Sequence, residues 1–303
     1  MSSAELAGTT LAQYGHDDIL RPRRSSLLLA PAALTILVFF AGQATFIVAS
    51  LLHAVPGGAA VAGPPGLQNY VRFFTRSDYL GVLLDTLWIS AELTVVVVIA
   101  GFPIAYVIAR TGSRLLRSIL LFSVVITFLS GGVTRAYAWL IILGNRGVVN
   151  SLLQAAGLTA DPVQLVYNRI GVFISLVHFL LPFMVLTLVG PLRNVPRTLE
   201  QAARNLGASR WRAFLHVTLR LALQGTVNAA ALTYVVALSS FLFPMLLGGG
   251  RVRFMANLIY AEIFTAYDIP FAATVALIFL AVSLAVVVAF SRLSRFLSYE
   301  PPS

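Results

Sequence analysis

The chain has no cysteine, no lysine and little charge of either sign. Without cysteine, neither disulfides nor thiolate metal sites are available. Without lysine, the phosphate-binding loop that ends in Gly-Lys-Ser or Gly-Lys-Thr cannot be built. ATP hydrolysis by that machinery is therefore excluded. Charged residues make up only 11% of the 303 residues, whereas a soluble domain carries about a quarter. Apolar residues fill the difference, at 58% of the chain. This is the composition of an integral membrane protein. All 21 basic residues are arginine and the net charge is +10. In a membrane chain such an excess sets topology rather than binding nucleic acid.

Six segments are long and apolar enough to cross a bilayer, which takes about 20 residues: 27–52, 82–109, 118–143, 170–192, 221–247 and 270–291. Backbone polar groups in lipid must be satisfied internally, so the spans are expected to be helices. The fold class is thus all-α, with six transmembrane helices. A polar stretch ending in Arg-Pro-Arg-Arg precedes the first run, which shows no clear cleavage site, so a retained span is expected rather than a signal peptide. Gly101, Pro103 and Pro182 fall inside spans and are expected to mark kinks.

Arginine bias orients the chain. With the N-terminus cytoplasmic, 14 arginines face inside and six outside, and Arg135 falls within a span. This asymmetry places both termini in the cytoplasm. The chain then divides into an N-terminal tail (1–26), a six-span domain (27–292) with a cytoplasmic loop at about 193–220, and a C-terminal tail (293–303). The outer loops 53–81, 144–169 and 248–269 are long, and the first carries the turn-forming run PGGAAVAGPPG.

The cytoplasmic loop is unusually regular. It reads TLEQAARNLGASRWRAFLHVTLR from Thr198 to Arg220. Thr198 and Gln201 have capping-box spacing. Leu199, Ala202, Ala203 and Leu206 share one helical face. Gly207 suits a helix end that needs a left-handed residue, and Ser209 suits the cap of a second helix. Trp211, Phe214, Leu215 and Thr218 share a face of that helix. An amphipathic helix lying on lipid is the bland alternative. The paired alanines and closing glycine fit close docking against a partner better.

These residues resemble the coupling loop of binding-protein-dependent ABC importer permeases, whose signature is Glu-Ala-Ala, three residues, then Gly. Gln201, Ala202, Ala203 and Gly207 occupy its positions, with Glu200 adjacent. The likeness extends to SGGVTRAYAWLIILGNRGVVNSLL (130–153), HFLLPFMVL (178–186), SSFLFPMLLGGG (239–250) and LIYAEIFTAYDIPFAA (258–273), which resemble the spermidine/putrescine-type branch. It covers nearly everything from about residue 68. Three positions depart from the pattern. Gln201 replaces the usual glutamate, and Arg220 and Gln224 stand where prolines are usual, which predicts a more continuous helix into the fifth span. The resemblance implies a type I importer permease fold. It implies as partners two cytoplasmic ATPase subunits, a second, non-identical permease, a periplasmic substrate-binding protein and membrane lipid, with no nucleic acid. ATP and magnesium would be bound by the ATPase, leaving this chain without cofactor, metal or catalytic residue. Glu200, Gln201, Ala202, Ala203 and Gly207 are the expected coupling residues.

Candidate path residues are fewer. Glu92 and Arg135 lie within the second and third spans, where a lone charge costs roughly 2.5–3.5 kcal/mol, so each is expected to face the interior or find a partner, and the two are placed where they could pair. Packing and path-lining both remain open for that pair. Tyr137 and Trp139 flank a pore-facing position of the family pattern, or else are interfacial aromatics. Glu262 and Asp268 face outside, where they meet a cation, meet the binding protein or form a solvated face. His178 and Pro182 are expected to be a packed histidine and a kink. The expected function is ATP-driven import of a small organic solute, a polyamine first. Iron, an opine, a phosphonate or another organic anion is the alternative on the same architecture. A self-contained secondary transporter is a distant alternative, because it would need no docking loop.

Overall fold

The structure, a computed structural model, describes residues 22–54, 61–62 and 65–297. Expectations about residues 1–21, about most of the Pro56–Gly66 run and about residues 298–303 lie outside the described residues. Helix α1 spans Pro22–Ser50, and its stretch Ala30–Ser50 is long and apolar enough to cross a membrane. The described residues up to Val48 belong to a unit of their own.

The second unit begins at Ala49. A small antiparallel ribbon pairs β1 (His53–Ala54) with β2 (Val61–Ala62), His53 opposite Ala62. The helices that follow are α2 (Gln68–Thr75), α3 (Ser77–Arg110), α4 (Arg114–Leu129), α5 (Gly132–Ile142), α6 (Val148–Ala155) and α7 (Arg169–Asn194). Then come α8 (Arg197–Asn205), α9 (Arg210–Ala213), α10 (Leu219–Leu238), α11 (Leu242–Leu247), α12 (Met255–Phe264) and α13 (Ile269–Phe296). A π-turn at Phe214–Thr218 joins α9 to α10, so Arg210–Leu238 is one continuous helix. The uninterrupted entry into the fifth span expected from Arg220 and Gln224 is present. Among the described residues, five helices are long and apolar enough to span a membrane, or six if the bent pair α4–α5 counts as one.

The centre of the unit is α3 against α7, with α10 packed on both. Leu93, Val97 and Ile108 of α3 and Leu176, Leu180 and Met184 of α7 are fully buried there. Small residues set the approach. A side chain at Gly225 of α10 would lie 2.3 Å from Pro191 Cβ, and one at Gly101 of α3 would lie 3.0 Å from Met184 Cγ. Backbones in lipid gain by close packing of this kind.

Pro103 and Pro182 sit within continuous helices, and Gly101 is a close contact with Met184. Two expectations are corrected. The third span, expected to run through 118–143, instead bends by 96° between α4 and α5. Its uniform apolar content hid the break, although Ser130, Gly131 and Gly132 supply the weak helix formers that permit it. The fifth span does not continue to 247. It ends at Leu238, and α11 is separate. The loops 53–81, 144–169 and 248–269 hold the short helices α2, α6 and α12.

Candidate coupling loop and translocation path

Helix α8 stands between two spans. Its N-cap is Pro196, with no side-chain cap, so the Thr198–Gln201 capping box does not form. Proline presets the backbone at this entry, leaving Thr198 one residue inside the helix. The other end is as anticipated. Gly207 has φ +90°. The Ala208 amide donates to the Ala203 carbonyl at 3.1 Å and the Gly207 amide to the Arg204 carbonyl at 3.0 Å. That pair of bonds is a Schellman closure. Ser209 then caps the next helix, accepting from the Arg212 amide at 3.3 Å.

Two side chains tie α8 to the spans. Arg197 Nη2 donates to the Arg110 carbonyl, 2.7 Å away at the end of α3. Thr218 Oγ1 donates to Glu200 at 3.0 Å. Phe214 stacks with Trp211 and meets Tyr106 edge-on, with ring centroids 5.4 and 5.1 Å apart. Helix α8 is thus tied by side chains to both the second span and the helix that leads into the fifth. Its outer face is free within this chain: Leu206 is 90% exposed, and Gln201 and Ala202 are exposed beside it. Ala203 is partly buried.

The intramembrane charges do not pair as anticipated. Glu92 forms its ion pair with Arg169, at the start of α7. Asn168 caps that helix, accepting from the Gly171 amide at 2.9 Å, and so places Arg169 in its first turn. Arg135, in the first turn of α5, is 8% exposed and lies 4.7 Å from the centroid of the Phe179 ring. Its Nε and Nη1 are buried without a hydrogen-bond partner. Trp139 Nε1 donates to His178 Nδ1 at 3.2 Å, which makes both packing groups of the α5–α7 contact. Tyr137 is 51% exposed on the other side of α5.

At the start of the last span, Asp268 caps α13, accepting from the Phe271 amide at 3.1 Å, and also accepts from Arg72 Nη1 at 2.6 Å. Arg72 covers the Phe271 ring at 3.9 Å. Burial works against the Arg72 charge, but Asp268 and Tyr79 outweigh it and its pKa is raised. Glu262 is buried. Neither acid is a solvated loop charge. Burial pushes the Glu262 carboxyl above its ordinary value, against the pull of nearby Arg72. Its protonated form is therefore favoured by folding, and stability is lost as pH rises through the raised value. Glu262→Gln is expected to flatten that loss. Thermal unfolding at pH 5 and pH 8 measures it, and a variant as pH-sensitive as the parent counts against this assignment.

Residues 98–299 match the family of binding-protein-dependent transport system inner membrane components. The chain is a permease of that family.

The permease is 31% identical over 221 residues to the spermidine/putrescine transport system permease protein PotB of Haemophilus influenzae, covering 73% of this chain and 77% of that one. In fold it resembles a bacterial alginate ABC transporter solved with a periplasmic protein carrying an alginate pentasaccharide. The TM-score is 0.73 at 19% identity, over 92% of this chain and 98% of that one. It also resembles the methionine transporter MetNI in inward-facing form, with a TM-score of 0.56 at 18% identity over 74% of this chain and 100% of that one. The permease is thus an inner-membrane transport subunit with the type I importer fold. Sequence reasoning missed Arg169 as the partner of Glu92 and Arg72 as the partner of Asp268. Charge complementarity was the only signal available for either.

Proposed function

We propose that this permease is the membrane path and mechanical lever of an ATP-driven importer whose cargo is a polyamine such as putrescine or spermidine. The observation that carries the lever is α8. It is a short, exposed, Schellman-closed helix tied to the second span by Arg197 and to the fifth by Glu200. An ATPase seated on Gln201, Ala202 and Leu206 would move both spans as it closes. Two ATPase subunits bind the ATP and magnesium, a second and non-identical permease completes the path, and a periplasmic binding protein delivers cargo. Both termini lie in the cytoplasm. The likeness to PotB supports the polyamine. One observation favours an organic anion instead: among the described residues Arg135 forms no ion pair, since Glu92 is held by Arg169.

The test is reconstitution of the complete importer in vesicles, with uptake of labelled putrescine and spermidine measured against an anionic competitor. Saturable, ATP-dependent polyamine uptake is expected. Transport of the anion alone overturns the cargo.

A further inference from the structure

Two adjoining cavities lie where α3 meets the cytoplasmic loop. The larger, about 970 Å³, is walled by apolar side chains, among them Phe102 and Val107 of α3 and Trp211 and Phe214 of the following helix. The smaller, about 240 Å³, is lined by Arg110, Arg197 and Arg204, with Glu200 and Gln201. Tyr106, Glu200 and Arg204 belong to both, so the apolar space opens into the basic one. Arg210 adds a further cation at the rim of the larger cavity.

The charges there are out of balance. Four arginines surround one carboxylate, and that carboxylate already accepts from Thr218. Among the described residues, the ion pairs are Arg72–Asp268 and Arg169–Glu92, so none of these four arginines has one. Nε and Nη2 of Arg110 are buried without a hydrogen-bond partner. A buried guanidinium nitrogen without an acceptor is costly, and a phosphate oxygen is the acceptor its geometry suits. An apolar chamber that leads to a cluster of phosphate-seeking cations matches one class of molecule along its whole length.

We infer that this pair of cavities binds one anionic phospholipid of the cytoplasmic leaflet, with its acyl chain between α3 and Phe214 and its phosphate among Arg110, Arg197 and Arg204. The position agrees with the orientation proposed above, which puts Arg110 at the cytoplasmic end of the second span. Basic pockets between helices on that side hold anionic headgroups. The bound lipid would brace α8 against the second span, beside the Arg197–Arg110 tie. Coupling would then depend on the charge of the leaflet.

The experiment uses the assembled importer in nanodiscs of phosphatidylethanolamine with 30% phosphatidylglycerol, released into native mass spectra. One phosphatidylglycerol is expected to stay bound per copy of this chain. The double variant Arg110→Gln/Arg204→Gln should hold it about thirty-fold more weakly. Val107→Trp, which fills the apolar cavity without touching a charge, should lose it too. Inorganic phosphate, which has no acyl chain, should give no thermal stabilisation in detergent. Equal lipid retention by the parent and both variants would overturn the inference, as would stabilisation by phosphate alone. Loss of retention only when the second permease or the ATPase is stripped away would assign the cavity to that subunit and overturn it as well. None of these readings requires transport, so they stand apart from the test of cargo.

Discussion

Gly207→Val should leave the permease assembled in its complex while lowering substrate-stimulated ATP hydrolysis and uptake at least tenfold. Gly207 closes α8 at φ +90°, a conformation costing an ordinary residue about 1–3 kcal/mol and a β-branched one more. Crowding is not the cause, because a Cβ there would meet nothing within 4 Å. The strain is relieved only by opening the Schellman bonds of Gly207 and Ala208. That lets α8 swing relative to Ser209 and the helix behind it. The lever would then bend at its base instead of transmitting force. Gly207→Asn is the control, since asparagine tolerates the left-handed region and should keep most of the coupling. Matched loss in Val and Asn variants would point to a contact made by the bare glycine surface. Unchanged coupling in both would remove α8 from the mechanism.

Much of this arrangement was legible in the sequence because lipid enforces it. The second, fourth and sixth spans emerge within a few residues of their apolar runs, since each such run has nowhere else to go. Gly207 and Ser209 announced a helix end and a helix start through local chemistry alone. The failures share a different cause. In the run from 118 to 143, Ser130, Gly131 and Gly132 permit the 96° bend without requiring it. That choice is made by α7, whose Phe179 packs against the first turn of α5. The fifth helix starts eleven residues earlier than its apolar run, because the π-turn at Phe214–Thr218 carries the helix through a charged stretch. Charge pairing was the least legible of all. Glu92 had several arginines within plausible reach, and the register of α7, set by its Asn168 cap, decided for Arg169.

Arg135→Met should raise the thermal stability of the importer while leaving putrescine uptake within about threefold of the parent. The arginine is 8% exposed at the break of the third span, with two of its nitrogens unpartnered. A charged side chain at that depth costs roughly 2.5–3.5 kcal/mol. Its contact with the Phe179 ring returns about 0.5–2 kcal/mol. Methionine fills a similar volume with no buried donor, so a net gain of about 1–2 kcal/mol is expected, read as an upward shift in unfolding temperature. The effect on transport follows from the sign of the cargo. A polyamine gains nothing from a guanidinium in its path, and removing one should not slow it. An anionic cargo would lose the cation best placed to receive it. A stabilised, fully assembled Arg135→Met complex that has lost uptake more than a hundredfold would therefore make Arg135 the cargo contact, and the cargo an anion. Lower stability with unchanged uptake would show instead that the guanidinium is satisfied within the assembled complex, by an acceptor on the second permease.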